Sequence, residues 1–360
     1  MTLEQLLGLL SLGAKKGASD IHLEAGYPPW YRISGELFAA KLDKLTSEDT
    51  ALLARHVLGE NSPFLAGAVR DVDRGFGIQG VSRFRASFLR QRGSVGVVLR
   101  VIPFEIPTLA DLHLPAVLQQ IAGARHGLVL ITGATGAGKT TTIASLINHI
   151  NHTDRLHVIT IEDPVEYVFR PEKSVIIQRE VGSDTASFEE ALRAALRQDP
   201  DVLMVGEMRD RETAETCLKA AETGHLVVSS LHTTDATRTV GRLVGMFSPE
   251  EQAGVRHRLA DSLKAVVSQR LVMRQDGAGQ LPAVEVMLAT RSVQEAIRDP
   301  AKADELFSLM ERGRDELGMQ TFDQHLIELC RTRLVSPETA KHFATRRAEV
   351  ERALLLGGGE

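Results

Sequence analysis

From about residue 110 onward, short apolar runs recur at 128–132, 157–161, 202–205 and 226–231. Between them lie stretches whose apolar residues fall at helical spacing, such as Ile143, Leu146 and Ile147, and later Phe188, Ala191, Leu192 and Ala195. Apolar runs alternating with amphipathic stretches predict a parallel sheet with covering helices. Helices are also expected at 211–222 and 234–247, and a hairpin-like strand at 175–181. Ser187 with Glu190 three residues on is the mark of a capping box. Beyond about 250 the chain reads as mostly helical, and 354–360, ending in glycines and Glu360, reads as a frayed tail.

The first hundred residues follow a different period. Phe84, Ala86 and Phe88 alternate with Arg83, Arg85 and Ser87, which predicts a half-buried strand carrying arginines on its other face. Strands are also expected at 21–23, 31–33 and 97–102. Leu3, Leu6, Leu7 and Leu10 mark one face of a short helix within residues 1–12. Pro103 and Pro107 punctuate the chain where the pattern changes. The expected organisation is an α+β domain over 1–106, a linker over 107–112 and an α/β domain over 113–360.

Composition narrows the function classes. At 360 residues the chain exceeds one ordinary core, which also points to two domains. Charged residues at 25% and hydrophobic residues at 43% are those of a globular protein. A formal net charge of -5 argues against a dedicated nucleic-acid binder, and 4% aromatics leave no base-stacking platform. Cys217 and Cys330 form no C-x-x-C pair, so a cysteine-built zinc site is excluded and a reducing, cytoplasmic compartment fits. The leucine-rich start carries Glu4 and lacks a basic region, so it does not read as a signal peptide. No apolar run approaches the roughly 20 residues of a membrane span.

The densest chemistry is Gly133-Ala134-Thr135-Gly136-Ala137-Gly138-Lys139-Thr140, which fits the phosphate-loop pattern G-x-x-x-x-G-K-[ST]. It sits between a predicted strand and a predicted helix, as the chemistry requires. Glycines let the backbone curl until its N–H groups converge, and the helix behind adds the positive end of its dipole. Lys139 would reach the β- and γ-phosphates, Thr140 would offer its hydroxyl to Mg²⁺, and Thr141 would complete the nucleotide-binding run.

Four more segments bear on that loop. Glu162, Asp163 and Glu166 crowd the end of a predicted strand, where carboxylates can hold Mg²⁺ through water or orient the attacking water. The run Val202-Leu203-Met204-Val205-Gly206 ends in Glu207, a second candidate carboxylate, with Gly206 leaving room for nucleotide or metal. His225 opens the next strand and His232 closes it, where a γ-phosphate could be sensed. Arg83, Arg85 and Arg100 of the first domain read as a solvated strand face on sequence alone, with arginine fingers as the alternative.

Together these segments resemble the secretion and pilus motor ATPases, and within them the type IV pilus retraction ATPases. The matching stretches are Ala18-Ser19-Asp20-Ile21-His22-Leu23, Arg83-Phe84-Arg85, the phosphate loop, and Thr160-Ile161-Glu162-Asp163-Pro164-Val165-Glu166. Further along come Val205-Gly206-Glu207-Met208-Arg209-Asp210, Ala221-Glu222-Thr223-Gly224-His225, Leu231-His232-Thr233-Thr234 and Gly318-Met319-Gln320-Thr321-Phe322-Asp323.

The resemblance implies a PAS-like first domain, a RecA-like ATPase domain and a homohexameric ring with nucleotide between the domains. It implies Glu166 as general base and Glu207 as the Walker B glutamate, with His225 and His232 as a histidine pair. Arg85 and Arg100 become arginines that approach the nucleotide, reversing the bland reading. It further implies ATP as substrate with Mg²⁺ and no zinc. The implied partners are an inner-membrane platform protein and a paralogous pilus ATPase, with no stable nucleic acid. The implied place is the cytoplasm, peripherally associated with the inner membrane.

Assembly ATPases of the same superfamily carry a long extra N-terminal region and a four-cysteine motif, both lacking here. One stretch departs from the retraction pattern. Retraction ATPases tend to carry a motif like Ala-Ile-Arg-Asn-Leu-Ile-Arg-Glu, where this chain has Ser292-Val293-Gln294-Glu295-Ala296-Ile297-Arg298-Asp299. That departure keeps an accessory retraction paralogue in play beside a pilus-assembly or secretion motor. A RecA-like DNA translocase and a non-hydrolysing scaffold are the remaining alternatives.

Overall fold

A computed structural model describes residues 1–33, 35–102 and 105–356. Pro103, expected to punctuate the linker, and residues 357–360 of the expected tail lie outside the described residues. The chain divides into two compact units, Met1–Glu105 with Pro164–Phe169, and Ile106–Asp163 with Arg170–Glu360.

The first unit runs α1 (Leu3–Lys15), β1 (Asp20–Leu23), β2 (Trp30–Ile33), β3 (Glu36–Ala39), α2 (Ser47–Leu58), β4 (Asp71–Ile78), β5 (Ser82–Gln91) and β6 (Ser94–Ile102). Its strands form one antiparallel sheet in the order β3-β2-β1-β6-β5-β4. Phe84, Ala86 and Phe88 of β5 are fully buried, while Arg83, Arg85 and Ser87 are half-buried on the other face. Leu6 and Leu10 of α1 and Leu53 of α2 join that core. Both helices start with a reciprocal capping box, Thr2 with Gln5 and Thr46 with Asp49. Register aligns Arg85 with Arg100, Arg100 with Asp20, and Asp20 with Arg32, so one row of charges crosses four strands.

The second unit opens with α3 (Val117–Ala122), β7 (Gly127–Thr132), α4 (Lys139–Thr153), β8 (His157–Glu162), β9 (Val175–Glu180) and α5 (Phe188–Ala195). It continues with β10 (Val202–Val205), α6 (Arg211–Glu222), β11 (Leu226–Leu231), α7 (Ala236–Val244) and α8 (Pro249–Ser262). A long hairpin, β12 (Leu263–Met273) and β13 (Gln280–Leu288), precedes α9 (Arg291–Arg298), α10 (Glu305–Arg312) and α11 (Arg314–Leu317). The unit closes with α12 (Phe322–Arg331), α13 (Pro337–Phe343) and α14 (Arg347–Leu356). The sheet order is β13-β12-β7-β11-β10-β8-β9, parallel except for β13. Every residue of β7, β10 and β11 is buried, as expected of a parallel sheet covered on both faces.

Some expectations need correction or completion. β9 is no hairpin partner, because it pairs with β8 in parallel, Val175 level with His157. The intervening 163–174 has the length, about a dozen residues, that a parallel return needs. The stretch beyond 250 is mostly helical, but it also holds two strands the sequence did not predict, β12 beside β7 and β13 at the sheet's edge. Both strands are buried nearly throughout, so they lack the alternation that marks a strand. Leu354–Leu356 of the expected tail continue α14. Among the described residues no helix is long and apolar enough to cross a membrane.

Candidate nucleotide site

Parallel strands deliver all their carboxyl ends to one edge of the sheet, and this edge collects the chemistry. Leu231 of β11 lies level with Thr132 of β7, and Val205 of β10 level with Ile161 of β8. The loop 133–138, Asp163, Glu207 and His232 therefore all leave the sheet on the same side.

The loop's glycines are used structurally. Gly136 and Gly138 have φ of 78° and 82°, and Gly138 caps α4 in the left-handed region. A Cβ on Gly133 would stand 2.6 Å from the Gln269 carbonyl oxygen, so only glycine fits against β12 there. Lys139 is nearly buried, and its Nζ donates to the carbonyls of Gly133 at 3.0 Å and Ala134 at 3.1 Å. Thr140 stands in the first turn of α4, and Thr135 and Gly136 are exposed in the loop. Thr141 carries the carbonyl that accepts from Ser145 Oγ.

A polar chain leads from Lys139 across the strand ends. Lys139 Nζ lies 3.4 Å from His232 Nδ1, and His232 Nε2 lies 3.0 Å from Glu207 Oε1. An ammonium has only donors, so Nδ1 accepts and the ring proton sits on Nε2, where it donates to Glu207. The other oxygen of Glu207 accepts from Arg209 Nε at 2.9 Å, and Arg209 Nη1 stands 3.8 Å from Asp163. The hydrogen bond to Glu207, then its charge, raises the Arg209 pKa. Lys139, His232, Glu207, Arg209 and Asp163 thus form one line of alternating donors and acceptors.

Other expected site residues stand elsewhere. Glu162 is buried on β8, where its Oε1 accepts from Thr160 at 2.6 Å and Gln178 at 3.0 Å. His225 precedes β11, and its Nδ1 lies 3.0 Å from the Ala220 carbonyl. A six-residue strand at about 3.3 Å per residue puts it roughly 20 Å from His232, at the opposite sheet edge. The structure does not bring His225 to the polar chain. The space a side chain at Gly206 would take faces Ile161 O at 3.3 Å and Glu162 Cα at 3.6 Å, so its smallness serves packing on β8. In the first unit, Arg85, Arg100, Glu166 and Tyr167 line one cleft of about 180 Å³. Arg100 pairs with Asp20 at 3.2 Å and Arg85 with Asp73 at 3.4 Å.

Sequence reasoning missed the contribution of β12. Thr132 Oγ1 meets Ser268 Oγ at 2.7 Å, and Gln269 donates to the Ala137 carbonyl. Reading that stretch as helix hid both contacts; the turn residues Asp276-Gly277 were the available sign of a hairpin. Arg209 was visible only as part of a motif. Glu285 of β13, which accepts from Ala236 N at 2.7 Å, gave no sequence signal. Burial pushes its carboxyl up to about 7.

Comparison with known proteins adds context. The family described as Type II/IV secretion system protein matches residues 9–303. The type IV pilus retraction ATPase PilT of Pseudomonas aeruginosa is 41% identical over 336 residues, covering 93% of this chain and 97% of that protein. The type IV pilus ATPase PilU of the same organism is 38% identical over 349 residues, 97% of this chain and 91% of its own length. A crystal structure of the pilus retraction motor PilT with bound ADP superposes with a TM-score of 0.87 at 44% identity, covering 96% of this chain and 99% of that one.

Proposed function

The chain belongs to the Type II/IV secretion system protein family, and from that premise we propose that it is an ATP-hydrolysing motor that drives type IV pilus retraction. The observation that carries this reading is the line from the phosphate-loop Lys139 through His232 to Glu207, assembled at one sheet edge. A phosphate-loop lysine, a histidine and a carboxylate standing side by side support this reading, since cations and a carboxylate are what taking ATP and water to ADP and phosphate calls for. The N–H groups of residues 133–141 and the Lys139 ammonium hold the phosphates. Glu166 would take the proton from the attacking water, Glu207 would orient that water and the metal, and Arg85 and Arg100 would meet the charge that develops on the transferred phosphoryl group.

The residues present fit Mg²⁺ held mainly by the nucleotide. Among the described residues no group of three or more His, Cys, Asp or Glu could form a metal cage. Mg²⁺ needs none, because it binds phosphates with one or two protein oxygens. Thr140 would hold it directly, and Glu207 and Asp163 through water, whereas Glu162 is engaged by Thr160 and Gln178. Bound there, the ion offsets negative charge on the phosphates.

The working assembly in this reading is a homohexameric ring in the cytoplasm, docked on an inner-membrane pilus platform protein. Phosphate release by purified Lys139→Ala and Glu207→Ala tests the site. Turnover at the wild-type rate in either would refute it. Gene deletion tests the direction of the work, since pili that persist but cannot retract support retraction, and absent pili mean an assembly motor. One observation favours a second reading, an accessory retraction motor acting with a paralogous ATPase. Residues 292–299, which cover all of α9 but its first residue and add its C-cap Asp299, depart from the retraction motif. Retraction that persists in the deletion strain and fails only under load would favour that reading.

A further inference from the structure

We propose that Gln269 is the positioning residue of the phosphate loop, a role that rests on the nucleotide reading of that loop. Gln269 sits in the middle of β12, 1% exposed, and its side-chain amide donates to the carbonyl of Ala137. A trans peptide unit points its C=O and the following N–H in opposite directions. Holding the Ala137 oxygen down onto β12 therefore turns the Gly138 N–H away from the strand, toward the open side of the loop. Lys139 secures the Gly133 and Ala134 carbonyls, and Gln269, from β12, secures the Ala137 carbonyl.

The fit is close on both sides of that contact. A Cβ on Gly133 would meet the Gln269 backbone oxygen at 2.6 Å, and one on Gly138 would meet its side-chain nitrogen at 3.1 Å. The orientation of the amide is fixed by chemistry, since only its NH₂ end can face a carbonyl. Its Oε1 is buried without a hydrogen-bond partner, a cost that an apolar residue of the same size would avoid. Only the donor explains a glutamine here. The next residue anchors the strand from behind: Arg270 Nη1 donates to the Phe343 carbonyl at 2.7 Å, and its guanidinium lies 3.9 Å from the Phe322 ring centre. Gln269 is thus a rigidly held donor aimed at the loop.

The test is Gln269→Leu in the full chain, with Gln269→Met measured in the same way if the leucine variant does not fold. Steady-state hydrolysis and the ADP-induced rise in melting temperature are read for each. The loss of one oriented bond raises KM for ATP roughly tenfold, with a smaller change in kcat. The ADP-induced shift shrinks while the melting temperature without nucleotide is kept or raised. A variant that keeps the wild-type KM and ADP shift, whatever its melting temperature, overturns the proposal. The nucleotide reading fails separately, by wild-type protein that gives no ADP-induced shift at all.

Discussion

The two sheets of this protein answer opposite packing problems. The first unit's sheet is antiparallel and presents one face to its core, so β5 alternates fully buried Phe84, Ala86 and Phe88 with half-wet Arg83, Arg85 and Ser87. The second unit's sheet is parallel and covered on both faces, so β7, β10 and β11 are buried at every position. An antiparallel sheet scatters its strand ends over two edges, whereas a parallel one gathers every carboxyl end at one. The second unit accordingly concentrates Lys139, His232 and Glu207 in one chain of contacts. The first unit can offer only what stands on its open face, and there it offers a row of arginines.

The largest test of this contrast lies in the second unit. Lys139→Ala should abolish measurable turnover and weaken ADP binding. Glu207→Gln should lower kcat by about 10²–10⁴-fold while ATP is still bound, since the carboxylate that orients the attacking water is lost but the phosphate cradle is kept. Phosphate release and equilibrium nucleotide binding, measured together, separate the two. Equal loss of binding in both variants would mean that Glu207 builds the loop and does not act on water.

The first unit should then contribute rate without affinity. Arg85→Ala and Arg100→Ala should each reduce kcat by about 10³-fold, the low end for a residue that meets phosphoryl charge in the transition state. ADP affinity should stay within about threefold, because ADP lacks the group they address. Wild-type turnover in both variants would reduce the arginine row to a solvated strand face, held by Asp20 and Asp73.

Legibility in the sequence follows the same division. Alternation exposed β5, and short apolar runs between amphipathic stretches exposed β7, β8, β10 and β11, with β10, α6 and β11 matching to the residue. β12 and β13 escaped because burial on both faces erases the period, and the polar residues that interrupt them, such as Lys264, Ser268, Gln269 and Glu285, fall at no regular alternation. The site was legible where function is written in contiguous residues, as in the phosphate loop. It was illegible where it depends on register, as with Gln269 beneath Ala137 or Glu285 beside Ala236.

A smaller effect compares the two ends of one strand. His232 closes β11 within reach of Glu207, and His225 opens it beside Ala220. His232→Ala should cost about 10–10²-fold in kcat, since it removes a donor to Glu207 and an acceptor from Lys139. His225→Ala should change the hydrolysis rate of the purified protein less than about threefold. Equal losses would place His225 at a nucleotide by a route other than the edge that holds His232.

The smallest predicted effect is a pH dependence confined to the second unit. Glu285 and His325 pack around the same strand, β13, and burial shifts them in opposite senses. Burial raises the Glu285 carboxyl from 4.5 to about 7, with Asp235 adding to the rise and Arg270 and the backbone N–H of Ala236 and Phe322 opposing it. Burial, then the charge of Arg314, lowers His325 from 6.5 to about 4, and its Nδ1 accepts from Val284 N at 2.9 Å. Between pH 4.5 and 7 the folded chain holds the Glu285 proton more tightly than the unfolded chain, so stability falls as pH rises through that window. Between pH 4 and 6.5 the folded chain holds fewer protons on His325, so that contribution is lost as pH falls. Glu285→Gln keeps an acceptor for Ala236 and removes the first slope. Its unfolding free energy should gain on wild type from pH 5 to pH 7.5, by on the order of 2 kcal/mol. Phe84→Ala, in the first unit's core, should cost about 3–5 kcal/mol with no pH trend over the same range. Denaturant midpoints at several pH values decide the matter, and parallel curves for Glu285→Gln and wild type would show that the carboxyl is ionised in the fold.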